Sequence, residues 1–384
     1  MPPSASRPPS TEWWWILDPR RSLRARVALT VGAGSLLFSA ALTWTIGATY
    51  RRTLEAQTSA SFEALAFQLV DKLDRTLYER YRTLALSATL APLRDPVAHP
   101  AEQRRLLDSI KDSAPEFAWV GFADRSGHIV AAADGVFENE STERRGWYHL
   151  AQRNAHAGPL HPIPELTGSA STGDSPPRYL DLAVPVLNAD GVFRGVLAAH
   201  IGWAWARDVQ LSVIPEALVG KHIGVTLYAD TDVLLDSDAY GWTQPPEPPA
   251  NVDPRRPRGA FLENTSVGAA FVTGFARSRG FRDYRGQGWL AVVRQPVEHA
   301  FAQVATLRRS VGAWAVSLSL AATIAAWFLA APHARRLRSV RASAERIHEG
   351  DVLTVLPSPK DNSELSQMCQ ALDALVEDLR AKKK

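Results

Sequence analysis

Two stretches of the chain carry no charge. Val27–Tyr50, "VALTVGAGSLLFSAALTWTIGATY", and Ser310–Pro332, "SVGAWAVSLSLAATIAAWFLAAP", are each long enough as helices to cross the hydrocarbon core of a bilayer, at about 1.5 Å per residue. Between them the pattern changes. Phe62, Leu65, Leu69, Leu73, Leu77, Tyr81 and Leu84 recur at three- and four-residue steps, which predicts one long amphipathic helix leaving the first span. Pro92 and Pro96 are expected to end it, and a short helix is expected at about 101–112.

From there the period turns to that of strands. "FAWVGFADRSGHIVAAA" (Phe117–Ala133) reads as a hairpin turning at "DRSG", and "YLDLAVPVLNADGVFRGVLAAHIGW" as a second, turning at Asn188–Gly191. Between them lie "RRGWYHLAQ" (Arg144–Gln152) and a Pro-, Gly-, Ser- and Thr-rich loop from Gly158 to Pro177. The plan then repeats. "HIGVTLYADTDVLLDS" (His222–Ser237) turns at Ala229–Asp232, a Pro-rich loop covers Pro245–Pro257, and "AAFVTGFARSR" and "GWLAVVRQP" read as two further strands. The expectation is α+β: two PAS-like modules, split near Arg207–Val219, in one segment between the spans.

Beyond the second span the period is helical again. Leu337, Val340, Ala344 and Ile347 fall at steps of three, four and three. Gly350-Asp351 is expected to break that helix, and Pro357 and Pro359 mark a connector. Leu365, Met368, Leu372, Leu375 and Leu379 then resume the pattern. Two such short a/d seams need partner helices to bury them.

Charge orients the chain. Arg20, Arg21, Arg24 and Arg26 precede the first span, and Arg335, Arg336, Arg338 and Arg341 follow the second; the other ends carry only Arg51, Arg52, Arg308 and Arg309. Excess arginine stays in the cytoplasm, so both termini are expected inside and the segment 51–309 outside. The first span is longer than a signal peptide's apolar stretch and no small-x-small site follows it, so an uncleaved anchor is expected. Trp13–Trp15 are expected at the inner interface, and Met1–Thr11, rich in Pro and Ser, as a disordered tail. The single cysteine, Cys369, lies outside the sensor-sized segment, which must therefore hold together by its own core. The expected setting is a bacterial inner membrane with the outer segment in the periplasm. A net charge of +3 supplies no basic face for nucleic acid.

The candidate chemistry sits in "RRGWYHLAQ". A guanidinium at Arg145 beside Trp147 and Tyr148 suits a small carboxylate, which it can grip through forked hydrogen bonds while the rings exclude water. The same residues also suit a salt-bridged Arg capping an aromatic core. Tyr179, Asp181 and His200, on the second hairpin, are candidates for a second arm of the site. His149, His156 and His161 match no compact metal-ligand spacing, and no nucleophile motif is present; Ser169–Ser171 lie in the loop. Neither catalysis nor a cofactor is expected.

The order of these pieces resembles the double Cache sensor domain of bacterial transmembrane receptors over about Arg51–Arg309. "RRGWYHLAQ" looks like that family's "RxW[FY]" segment, "AVPVLNADGVFRGVLAAHI" like its "PV…dG.f.GVl" hairpin, and "GWLAVVRQP" like the strand that returns to the membrane. The resemblance implies a distal module at about 92–206, a proximal one at about 207–300, and a ligand carboxylate held by Arg145 and its aromatics in the distal module. Two departures stand out. His200 occupies the place of the Asp that meets an amino-acid ligand's amine, and Glu140 that of a Tyr. Residues 333–384 resemble a HAMP module, with its "GD" break, connector and "NSEL" at Asn362–Leu365, which implies a parallel four-helix coil in a homodimer.

The sequence reading is thus a tail (1–26), a span (27–50), the sensor segment (51–309), a second span (310–332) and HAMP (333–384). It is read as a membrane-embedded receptor for a small molecule. No cyclase, kinase or methyl-accepting word occurs before "RAKKK", so a separate cytoplasmic output protein is expected. The alternatives are an envelope interaction protein without a small ligand and a shortened cyclase or histidine-kinase sensor.

Overall fold

The computed structural model describes residues 22–167, 177–215, 220–237, 247–264, 268–349 and 364–381. One compact unit spans Arg52–Ala302; the second comprises the chain on either side of it. Helix α1 (Leu23–Ser87) is followed by α2 (Ala91–Arg94), α3 (Pro100–Asp112), β1 (Phe117–Asp124), β2 (Ile129–Ala132), α4 (Gly146–Ala151), β3 (His156–Pro162) and α5 (Pro164–Thr167). Next come β4 (Arg178–Leu187), β5 (Phe193–Gly202), α6 (Ala204–Val213), β6 (Gly224–Ala229), β7 (Asp232–Asp236), β8 (Arg258–Asn264), β9 (Ala270–Arg277) and β10 (Leu290–Pro296). Helices α7 (Val297–Ala300), α8 (Ala302–His348) and α9 (Glu364–Ala381) complete the chain.

The first compact unit holds two antiparallel five-stranded sheets of the same strand order, β2-β1-β5-β4-β3 and β7-β6-β10-β9-β8. Each grows from two hairpins whose turns are written in the chain. Asp124 Oδ1 accepts the backbone N–H groups of Ser126 and His128 at 2.9 and 3.0 Å, with Gly127 at φ +84°. Asn188 Oδ1 does the same for Asp190 and Val192 at 2.9 and 2.8 Å, with Gly191 at φ +78°.

The apolar stripe of α1 is buried over Phe62, Leu65, Leu69, Leu73, Leu77 and Leu84, at 0–7% exposure. Its contact with the second sheet, β7-β6-β10-β9-β8, is close. A Cβ on Gly274 of β9 would fall 2.4 Å from the Phe62 backbone, so only glycine fits there. Further along, the buried Asp74 carboxylate accepts Ser278 Oγ (2.7 Å), Gly280 N (2.8 Å) and Arg279 N (3.2 Å). Toward the distal module, Arg80 reaches Glu116 at 3.1 Å.

Two strands depart from the sequence reading. β3 runs from His156 into the segment read as loop, and β8 was not anticipated. Both are edge strands. An edge tolerates Pro159 and Pro162, whose missing N–H groups would break an interior ladder. α1 also stops at Ser87, before either proline; Pro92 instead opens the separate turn α2.

In the second unit, α1 and α8 each contain a segment long and apolar enough to cross a membrane. They run antiparallel. Arg24 Nη2 donates to Ala331 O at 3.0 Å, and Gly32 faces Thr323 so closely that a Cβ would lie 2.5 Å from its hydroxyl. Leu37, Phe38, Trp44, Trp314, Leu318 and Phe328 are exposed. Cys369 of α9 is buried against Val340, with Ile347 and Val376 around them. The expected break at Gly350-Asp351, the connector with Pro357 and Pro359, Trp13–Trp15 and the Met1–Thr11 tail lie outside the described residues.

Candidate functional site

The site begins where three strands of the first sheet, β2-β1-β5-β4-β3, align. Asp181 on β4 and Trp119 on β1 both pair in register with His200 on β5. Asp181 is buried at 8% exposure, and His200 at 1%. Imidazole Nδ1 lies 2.7 Å from Asp181 Oδ1. A carboxylate only accepts, so Nδ1 carries the proton and Nε2 presents its lone pair. Burial pushes the His200 pKa down, Asp181 opposes that shift, and Arg145 and His161 add to it. The Trp119 ring stacks on the imidazole at 4.7 Å and 25°, its own N–H donating to Val136 O at 2.9 Å. Gly121 makes room for this: a Cβ there would sit 2.1 Å from the indole.

The second wall comes from α4. Trp147, Tyr148 and Ala151 face inward and are buried. Tyr148 donates its hydroxyl to Asp124 O (2.8 Å) and lies 3.2 Å from Arg125 O, which ties α4 to the first hairpin. It therefore anchors the helix, and its hydroxyl has no place in the cavity. Tyr179 is likewise buried, with its hydroxyl 3.4 Å from Leu166 O.

Arg145 stands at the N-terminal end of α4. Its guanidinium lies over the Phe137 ring at 4.8 Å, and Nη2 reaches Glu140 Oε2 at 3.3 Å. The loop that carries Phe137 and Glu140 is wound tightly: Asp134, Phe137 and Asn139 all have φ between +53° and +67°. Left-handed non-glycine residues are costly, and three in six positions fix this loop in one shape beside the site. Neither Phe137 nor Trp119 was singled out from the sequence; Trp119's inward place in "FAWVGF" was the available signal.

These walls enclose a cavity of about 350 Å³ lined by Arg144, Arg145, Trp147, His156, His161, Asp181 and His200 among others. His161 Nε2 lies 3.7 Å from Asp181 Oδ1, and partial burial lowers the His156 pKa. Two lining residues have a buried ring nitrogen without a hydrogen-bond partner among the described residues: Trp147 Nε1 and His200 Nε2. Such atoms are rare, because a buried unpaired polar atom costs about 1–3 kcal/mol. One is a donor and the other an acceptor. The structure thus brings Arg145, Trp147, Asp181 and His200 together and leaves Tyr148 and Tyr179 behind the wall. His149 bonds to Glu143 O at 2.9 Å, and no three acidic, His or Cys side chains are placed to hold a metal among the described residues.

No family model matches this chain, and no curated protein does. Among solved structures it is similar to the extracellular domain of rpHK1S-Z16, at 15% identity over 64% of this chain and 98% of that one, TM-score 0.47. It is similar to the ligand-binding domain of the Pseudomonas aeruginosa amino acid chemoreceptor PctC in complex with GABA, at 18% identity over 62% and 99%, TM-score 0.46. A third is the ligand-binding domain of the Campylobacter jejuni chemoreceptor Tlp3 in complex with L-norvaline, at 11% identity over 65% and 94%, TM-score 0.46. At such identities the roles of the site residues rest on geometry.

Proposed function

We propose that this chain is a two-span membrane receptor of the double Cache type, whose distal module binds a small carboxylate from outside the cytoplasm. The observation that carries the reading is one cavity lined by Arg145, Trp147 and His200, with Trp147 Nε1 and His200 Nε2 buried and without a hydrogen-bond partner among the described residues. Arg145 and the indole N–H offer donors to a carboxylate. His200 Nε2 offers an acceptor to an O–H or N–H on the same ligand, with Asp181 fixing the ring.

Binding draws α4 and the β4–β5 hairpin onto the ligand. That change reaches α1 through Arg80–Glu116 and the Asp74 contacts, and so the membrane spans. Inside, α8 and α9 act as a HAMP-like coil shared by two copies and pass the signal onward in the cytoplasm. Within one chain Met368, Leu372 and Leu375 stay exposed while Cys369 is buried, so a second copy has an apolar seam to cover. Both termini are cytoplasmic in this reading.

The test is a thermal-shift screen of small carboxylates on the full chain in detergent, followed by calorimetry. Arg145→Ala should weaken the best binder about 30- to 1000-fold, the equivalent of about 2–4 kcal/mol, and Arg145→Lys nearly as much, because an ammonium cannot fork. A folded chain that binds no carboxylate, with or without Arg145, overturns the reading.

A further inference from the structure

The two sheets can be matched residue by residue. In the first hairpin of each, the register shifts beside Ala123 (opposite Ile129) and beside Tyr228 (opposite Val233). Across the sheet those residues pair with Val196 and Leu290. Four residues further along the central strand stand His200 and Arg294. Their neighbours on the next strand are Asp181 and Thr273. Two residues back along that strand, Tyr179 pairs with His161 and Phe271 with Glu263. So the distal triad His161, Asp181 and His200 and the proximal triad Glu263, Thr273 and Arg294 hold the same three places.

Their chemistry differs in one respect. In the distal module the central residue keeps an unpartnered nitrogen. In the proximal module the central guanidinium is gripped. Arg294 Nε and Nη2 reach the two oxygens of Glu263, each at 2.9 Å, and Nη2 also donates to Glu247 O at 2.9 Å. Nη1 lies 3.3 Å from the Tyr228 hydroxyl, and Thr273 Oγ1 donates to Glu263 at 2.7 Å. Both charged residues are over nine-tenths buried, Arg294 at 4% and Glu263 at 7% exposure. A forked guanidinium plus a hydroxyl donor, in a wall that includes Tyr228 and Thr273, is how a protein holds a ligand carboxylate. A buried ion pair is no efficient way to stabilise a fold, since apolar residues of the same volume serve as well or better. Glu263 comes from β8, the edge strand, which pairs with β9 alone.

We propose that the proximal module contains a second carboxylate-binding site, set at the same register as the distal cavity and filled from within by Glu263 acting as a tethered ligand. The ligand class is a small monocarboxylate, and the chain supplies it. This inference stands independently of what the distal cavity binds.

The test uses the full chain in detergent and removes only the tethered carboxylate. Glu263→Ala should melt lower than wild type, and sodium acetate or formate should restore it in a saturable way that sodium chloride at equal ionic strength does not match. At ten times the half-saturating concentration the rise should be about 3–5 °C beyond any shift of the wild type. The double variant Glu263→Ala/Arg294→Met should show no such rise. Equal responses of the single and double variants, or no response of the single variant beyond wild type, overturn the proposal. If Glu263→Ala fails to accumulate, its yield from cells grown with acetate is the readout: recovery by acetate supports the tethered ligand, and no recovery overturns it.

Discussion

Arg145, which lines the cavity, and Glu140, five residues before it, form an ion pair at 3.3 Å, with the arginine's side chain 23% exposed and the glutamate's 51%. Glu140 thus offers Arg145 a carboxylate that competes with any ligand carboxylate. An exposed pair of this kind is worth about 0.2–1 kcal/mol. Glu140→Gln should therefore tighten carboxylate binding about 1.4- to 5-fold, read by calorimetry. Weaker binding would mean instead that Glu140 helps to hold the ligand.

His200 makes the distal module sensitive to acid. Burial lowers its folded pKa below the ordinary 6.5, against the pull of Asp181. A histidine kept neutral in the fold contributes stability that is present above its unfolded pKa and lost as pH falls through the folded one. The unfolding free energy should fall below about pH 6.5, by at most about 1.4 kcal/mol per pH unit from this residue, and the melting temperature should fall with it. His200→Asn should flatten the slope. Some slope should remain from His156, whose pKa is lowered in the same sense. The groups facing His200 are Asp181, His161 and Arg145. Protonation also turns the Nε2 acceptor into a donor, so a ligand that donates to it should bind less tightly in the same pH range. A wild-type slope no steeper than that of His200→Asn would remove His200 from this account.

Much of this architecture was legible because its signals are local. The period of Phe62–Leu84 gave the helix, and Asp124 with Gly127 and Asn188 with Gly191 gave the turns. The edge strands were hidden because β3 carries prolines that an edge alone can accept, and β8 follows a proline-rich stretch with no turn word between. Arg145 and Trp147 were visible as residue types in one word. Asp181's burial was not, because it depends on pairing with a residue nineteen positions away. No local pattern reports that contact. Tyr148's role inverted for a similar reason: its hydroxyl finds backbone carbonyls of a distant turn.

Asp74 is the joint between α1 and the proximal module. Its carboxylate accepts from a hydroxyl and two backbone N–H groups; burial raises its pKa, those hydrogen bonds oppose the rise, and the charge of Asp71 adds to it. Asp74→Leu removes all three acceptor contacts and should cost about 2–4 kcal/mol. Asp74→Asn keeps an oxygen for the backbone and loses the buried charge, so it should stay within about 1 kcal/mol of wild type. Thermal melts of both variants check this; equal losses would assign the effect to charge rather than to hydrogen bonding. In a signalling assay Asp74→Leu should also uncouple distal binding from output while leaving calorimetric affinity within about twofold.

Helices α8 and α9 make a prediction about assembly. On α9, Cys369 is fully buried within the chain, while Met368, Leu372 and Leu375 are 47%, 36% and 61% exposed. The steps between those three are four and three residues, which is a seam, and an exposed seam of that spacing is stable only when another helix covers it. A second copy related by a two-fold axis along the membrane normal supplies that cover by bringing the same residues together. In a Cys369→Ser background, Leu372→Cys and Leu375→Cys should therefore crosslink copy to copy under mild oxidation in membranes. Cysteine at Val376, which packs within the chain beside Cys369 and Val340, should crosslink poorly. The reverse ranking would place the dimer contact on the other face of α9, and no crosslink at any of these positions would mean that the seam is covered by something other than a second copy.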